Sequence, residues 1–187
     1  MLNLALSSIK NRLNEFLVNR LDLDDEVVHV NRLVNQNGES GLKNQNKVLL
    51  TLINLEQEAN SQFYNRPVKA GGDVHKLNPP MYFNLNLLCV SNFDSYDESL
   101  KFLNEILAFF QTHLSVDIDS NGELLSHGKL SIEIDPQNFS DMHSLWNSMG
   151  AKYQPSLVFK VRHITVQESN VVSSTSEIDK IKIETVE

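Results

Sequence analysis

The chain has 187 residues, 41% of them hydrophobic, 21% charged and 7% aromatic. That is the length of one domain, or one domain with an appendage, whose core needs neither disulfide nor metal support. The 24 acidic residues outnumber the 16 basic ones, for a net charge of -8. This argues against a general nucleic-acid surface, because phosphate contacts need an excess of lysine and arginine.

Cys89 is the single cysteine, which excludes an internal disulfide framework and any multi-cysteine zinc site. No apolar run approaches the roughly 20 residues that span a bilayer. Met1 to Leu21 carries asparagine, glutamate and arginine throughout and does not resemble a signal peptide. The chain reads as a soluble protein folded in a reducing cytoplasm.

Leu2, Leu6, Ile9, Leu13, Phe16 and Leu17 recur at three- and four-residue steps, predicting an amphipathic helix that packs on a sheet. Asn3, Lys10, Asn14 and Glu15 fall mainly on its polar side, and Asp22, Asp24, Asp25 and Glu26 form a polar turn after it. Val27–Val34 is a short β-branched strand. Asn35–Asn46, with its Asn37-Gly38 pair, reads as an exposed hairpin loop or a mobile excursion. Lys47–Glu58 is apolar on both faces, with Val48, Leu50 and Leu52 on one and Leu49, Ile53 and Leu55 on the other, as expected of a central strand. Asn60–Asn78 is polar and reads as a long loop.

Pro79-Pro80 delays the next strand to Met81. In it Met81, Phe83, Leu85, Leu87 and Cys89 share an apolar face, with Asn84 and Asn86 opposite, toward solvent or a partner. Ser95 and Glu98 form the pattern of a capping box. The helix that follows points Leu100, Leu103, Ile106, Leu107 and Phe110 inward, with Phe102 and Phe109 widening the stripe. Lys129–Asp135 alternates as a strand. A short helix runs from Ser140 to a Gly150 C-cap, and Ser156–Gln167 is a long last strand. Ile178–Val186 alternates charged and β-branched residues, as an added strand or an acidic tail would. The order α β β β α β α β predicts an α+β, or mixed α/β, fold: a single mixed sheet flanked by the N-terminal helix and a long central helix.

Chemistry is sparse. The six histidines, His29, His75, His113, His127, His143 and His163, lack helical metal-ligand spacing. Ser140, Asp141 and His143 are triad residue types, but adjacency along a chain does not make a triad, and helix capping accounts for Ser140 and Asp141. Gly38-Glu39-Ser40-Gly41 is no nucleophile elbow, and there is no phosphate-cradling glycine loop. Asp117-Ile118-Asp119-Ser120-Asn121-Gly122 fits the first half of a calcium loop. Its twelfth position, however, is Gly128, where a bidentate carboxylate is required, and a strand follows it. No catalytic residue, metal site or cofactor is expected. The interleaved aromatic and basic residues of a single-strand nucleic-acid binder are also missing.

Three stretches, NKVLLTLINLEQEA (46–59), PPMYFNLNLLCVSNFDSYDESLKFLNEILAFFQ (79–111) and LWNSMGAKYQPSLVFKVRHITV (145–166), are similar to one known family. They resemble the N-terminal domain of the tail-terminator, or cap, proteins of phage-like contractile injection systems, and the helix MLNLALSSIKNRLNEFL also fits. The resemblance spans about Leu2 to Gln167. It implies a myovirus tail-terminator-like domain over 1–167, with 168–187 as a C-terminal tail or added edge strand. Longer members continue into a second domain.

The implied role is non-enzymatic: a bacterial structural protein whose hexameric ring closes the distal end of the inner tube and contractile sheath. Its partners would be itself, sheath and tube, with no nucleic acid and no membrane. It would be cytoplasmic during assembly and part of a phage-tail-like particle thereafter. The alternatives are a monomeric adaptor that binds another tail component by β-strand addition, and an enzyme or calcium-responsive module. The expected partner-interface residues are Asn84 and Asn86, Lys160 and Arg162 on the outward side of the last strand, and Ile181 and Ile183 in the tail.

Overall fold

The computed structural model describes residues 2–34, 38, 42–58, 68–70, 73–77, 81–118, 129–166 and 171–176. Its elements run α1 (Leu2–Leu21), β1 (Val28–Val30), a 3-10 turn (Leu42–Asn44), β2 (Lys47–Gln57), β3 (Val68–Ala70), β4 (Asp73–Leu77), β5 (Met81–Asn92) and α2 (Tyr96–Thr112). They continue with β6 (Ser115–Asp117), β7 (Lys129–Ile134), α3 (Phe139–Met149), β8 (Ser156–Val166) and β9 (Val171–Ser176). Two compact units result: Met1–Gln57 with Phe83–Ile164, and Glu58–Tyr82 with Thr165–Glu187.

The first unit is built on a mixed six-stranded sheet in the order β1-β2-β5-β8-β7-β6. β1 runs parallel to β2, whereas β2–β5, β7–β8 and β6–β7 are antiparallel pairs. α1 packs on both β1 and β6, the two edges of this sheet, so the sheet curls around it. The predicted stripe accounts for this placement. Ala5, Ile9, Leu13 and Leu17 are buried, with Leu2, Leu6 and Phe16 packed around them.

The polar side of α1 is also used. Asn14 Oδ1 accepts the backbone N–H groups of Val27 (2.9 Å) and Val28 (3.0 Å), and Lys10 pairs with Glu26. The acidic turn is thereby tied back to the helix, and Asp22 takes a left-handed φ of 53° to make it.

The inner face of the sheet joins Val48, Leu50, Leu85, Leu87, Cys89, Leu130, Ile132, Phe159 and Val161 to α1 and α2 in one core. Phe110 and Phe159 meet with tilted rings 3.8 Å apart, and Phe109 meets Phe16 edge-on at 5.3 Å. α2 turns differently from the expected stripe. Phe102, Ile106, Phe109 and Phe110 are buried, and Leu100 and Leu107 are exposed. Large aromatic side chains fill the space between helix and curled sheet, and this rotates the two leucines outward. The Ser95 cap is present, accepting from Glu98 N at 3.4 Å.

A bulge between Leu52 and Asn54 in β2 breaks the expected alternation. Before it, Leu49 and Thr51 share the outer face. After it, Asn54 and Glu56 do, and Leu55 joins Leu52 on the inner face as the partner of Leu85. One extra residue reverses side-chain parity for everything beyond it.

The region expected to be one long loop contains β3 and β4, and these pair with β9 in a three-stranded antiparallel sheet of the second unit. Three to five residues are too few to show a clear alternation, although the Gly71-Gly72 pair between these runs is itself a hairpin signal. β6 escaped notice for the same reason. Asn44, expected in an exposed loop, is buried. Its amide donates to the carbonyls of Arg32 (2.8 Å) and Leu33 (3.1 Å).

Candidate functional site

The outer face of the large sheet divides into two halves. Over one half lies α3, whose Trp146 packs with Leu33, Leu49, Leu88, Val90 and Val158. The other half is polar, and Glu56 is its centre. The Glu56 carboxylate accepts from Lys160 Nζ at 2.6 Å, from Asn86 Nδ2 at 2.7 Å and from Asn54 Nδ2 at 3.3 Å. The Lys160 hydrogen bond, then that from Asn86, holds the Glu56 pKa below the ordinary 4.5, since both favour the charged form. Next along β8, Arg162 pairs with Glu133 of β7 at 2.9 Å.

Asn84 and Asn86, expected to face solvent or a partner, are only 8% and 9% exposed. Among the described residues the Oδ1 atoms of both are buried with no hydrogen-bond partner. The Arg162 Nε is likewise buried and unpartnered. Asn84, Asn86, Lys160 and Arg162 therefore do share one face, organised by a glutamate the sequence reading passed over. The bulge explains why: without it, Glu56 falls on the opposite face.

α3 carries the second feature. Its N-cap is Asn138, not Ser140: Asn138 Oδ1 accepts from Asp141 N at 2.9 Å, and Asn138 Nδ2 donates to Asp141 Oδ2 at 2.7 Å. Ser140 thus lies within the helix. Gly150 ends it with a φ of 65°, the left-handed turn that glycine adopts without steric cost. That turn sends Ala151–Tyr153 back along the helix and places the Tyr153 ring 5.4 Å from Trp146. Phe139 and His143 stack one turn apart at 6.4 Å. With Trp146, Lys152 and Tyr153 they line a cleft of about 640 Å³.

A model of the Pvc16 N-terminal domain matches residues 6–179. The chain belongs to this family. Its fold is similar to that of the sheath/tube terminator of an extracellular contractile injection system, PVC, in the extended state. The TM-score is 0.65 at 14% identity, over 100% of this chain and 63% of that one. It is also similar to the tube-terminating cap of the anti-feeding prophage, with a TM-score of 0.65 at 12% identity over 97% of this chain and 60% of that one. The chain thus spans less than two-thirds of either structure's length. No curated protein matches it in sequence.

The remaining candidates of this Pvc16-type domain separate cleanly. His143 belongs to the aromatic cleft, whereas the side chain of His163 lies outside the described residues. Of the calcium-like loop only Asp117 and Ile118 are described, with Asp117 closing β6 against Lys129. Ile181 and Ile183 lie outside the described residues. Burial pushes the Cys89 thiol far above its normal range, so it is a packed apolar group and no nucleophile. Among the described residues no helix is long and apolar enough to cross a membrane.

Proposed function

We propose that this chain is a structural cap that closes the distal end of the inner tube and contractile sheath of a phage-tail-like particle. It works as a hexameric ring of copies and performs no bond-making chemistry. The reading is supported most by the match of residues 6–179 to a domain family whose fold recurs in a sheath/tube terminator and a tube-terminating cap. Sheath, tube and further copies of itself are its partners, with neither nucleic acid nor membrane involved. It needs no cofactor, and it assembles in the cytoplasm. Residues 1–167 build the terminator domain and 168–187 a C-terminal tail or added edge strand, in which β9 pairs with β4.

The physical case rests on the outer face. A closed ring uses heterologous contacts, one patch of a protomer meeting a different patch of the next. Unsatisfied buried carbonyls on Asn84 and Asn86 destabilise an isolated chain, so their presence favours a partner that supplies donors. Lys160 and Arg162 frame the same patch, and Ile181 and Ile183 belong to the segment that reaches a neighbour. Asn84→Leu separates the two roles. It removes an orphaned acceptor, so the thermal midpoint of the protomer holds or rises, whereas the ring weakens.

Light scattering behind size-exclusion chromatography, then negative-stain microscopy with sheath and tube proteins, tests the proposal. Hexamer-sized rings at tube or sheath ends are expected. A strict monomer that ignores both proteins overturns it.

One observation favours a second reading, the monomeric adaptor that works by strand addition. β1 pairs with β2 only as far as Val30↔Leu50. Beyond Leu50, β2 has β5 on one side and no described strand on the other, and Leu52 and Leu55 are exposed there. Open edges of this kind accept added strands. Light scattering on the chain alone discriminates, because a ring forms from copies of this chain without another protein, whereas an adaptor stays monomeric until its partner is added.

A further inference from the structure

Around Trp146 the donors have no acceptors among the described residues. Trp146 is 3% exposed, and its indole Nε1, a group that only donates, is buried with no partner among them. Beside it the exposed Lys152 has no ion pair or hydrogen bond among the described residues. None of the described residues lining the cleft is acidic, in a chain where 24 acidic residues face 16 basic ones. The walls are aromatic and open, with Phe139 88% exposed and Tyr153 66% exposed. Rigid aromatic walls, an orphaned donor and a free ammonium together select a ligand with apolar anchors and an excess of acceptors or negative charge.

The chain itself carries such a segment. Residues 177–187, EIDKIKIETVE, hold Glu177, Asp179, Glu184 and Glu187 against Lys180 and Lys182, an excess of negative charge, beside Ile178, Ile181, Ile183 and Val186. Extended, eleven residues reach at most about 35–40 Å.

We propose that the aromatic cleft between α3 and Ala151–Tyr153 is the receptor for residues 177–187 of a second copy. An isoleucine seats between Phe139 and Tyr153, and a carboxylate faces Lys152. The contact is head-to-tail, joining the cleft of one protomer to the tail of the next, which is the contact type a closed ring requires. It rests on the ring reading above and assigns one of that ring's junctions.

Trp146 is the only tryptophan, so its emission reports on this cleft and on the adjoining pocket beside Leu33, Asn92 and Gln154 that it also lines. The test uses the full chain, with Lys152→Glu as the cleft variant and Ile181→Asp/Ile183→Asp as the tail variant. Lys152 is exposed and the fold does not use it, and circular dichroism checks that both variants are folded.

Each variant alone is expected to associate about tenfold more weakly than the parent chain. Mixing the two restores one intact junction and yields a 1:1 pair. A synthetic 177–187 peptide in excess shifts Trp146 emission in the parent chain and competes with its assembly. Rings that persist in both variants with unchanged Trp146 emission overturn the cleft assignment and leave the ring reading standing. A parent chain that is monomeric at every concentration, yet whose Trp146 emission responds to the peptide, supports the cleft and sinks the ring. A Trp146 response to sheath protein but not to the peptide gives the cleft to another occupant and overturns this proposal.

Discussion

The two faces of the curled sheet are built to different standards. On the inner face, α1 and α2 close an apolar core in which Ile9, Leu13, Leu17, Ile106 and Phe109 are essentially inaccessible. There Ser91 Oγ alone is buried without a partner among the described residues. On the outer face lie Asn84 Oδ1, Asn86 Oδ1, Trp146 Nε1, Ser156 Oγ and Arg162 Nε, all buried and without a partner among the described residues, next to a wide aromatic cleft. A face that only stabilised the fold would pair those atoms or replace them with apolar groups, since each orphan costs about 1–3 kcal/mol. Inner packing holds the protomer together, and the outer face is left incomplete for something to complete.

This contrast can be broken by substitution. Phe109→Ala empties a fully buried site touching Phe16 and Phe110 and should cost about 3–5 kcal/mol in denaturant unfolding. Phe139→Ala on the outer face should stay within about 0.5 kcal/mol. Equal costs would mean that the outer aromatics are structural after all. Asn14→Ala orphans the N–H groups of Val27 and Val28 and should lower stability by about 1–3 kcal/mol, seen as a reduced urea midpoint at unchanged slope. Gly150→Ala forces a non-glycine residue to a φ of 65°, at about 1 kcal/mol. It should also shift Trp146 emission, because the turn that places Tyr153 is strained.

A small effect is expected at Glu56, whose side chain is 40% exposed. Glu56→Gln should cost about 0.5–1 kcal/mol at neutral pH once screening by water is allowed for. Because the folded pKa of Glu56 is depressed, its contribution is complete above the ordinary value of 4.5. It is lost as pH falls through the lower folded value. The gap between parent and variant should therefore close in acid, and a gap that widened there would contradict the assignment of Glu56 as the anchor of Lys160.

Much of the fold was legible because long periodic segments report their own burial. The α1 stripe, the β5 start after Pro79-Pro80, the alternation of Lys129–Asp135 and the glycine end of α3 all follow from local rules. The site was less legible. Asn84, Asn86, Lys160 and Arg162 were singled out, but the burial of the two asparagines within the protomer was not foreseen, and Glu56 was missed. The aromatic cleft was missed too, although Phe139, His143 and Trp146 stand at helical i, i+4, i+7 spacing and that signal was available.

By itself the sequence determined the long helical and extended segments, though not the short strands β3, β4 and β6, and which family the chain resembles. Helix and strand periods are local properties of the chain, and a family signature is a pattern of residues. Only the tertiary structure decided which face each residue occupies. A bulge in β2 exchanged the faces of Leu55 and Glu56, the curl of the sheet turned Phe102 and Phe109 inward in place of Leu100 and Leu107, and a left-handed Gly150 carried Tyr153 over Trp146. Each depends on contacts between residues far apart in the chain, which no local pattern encodes.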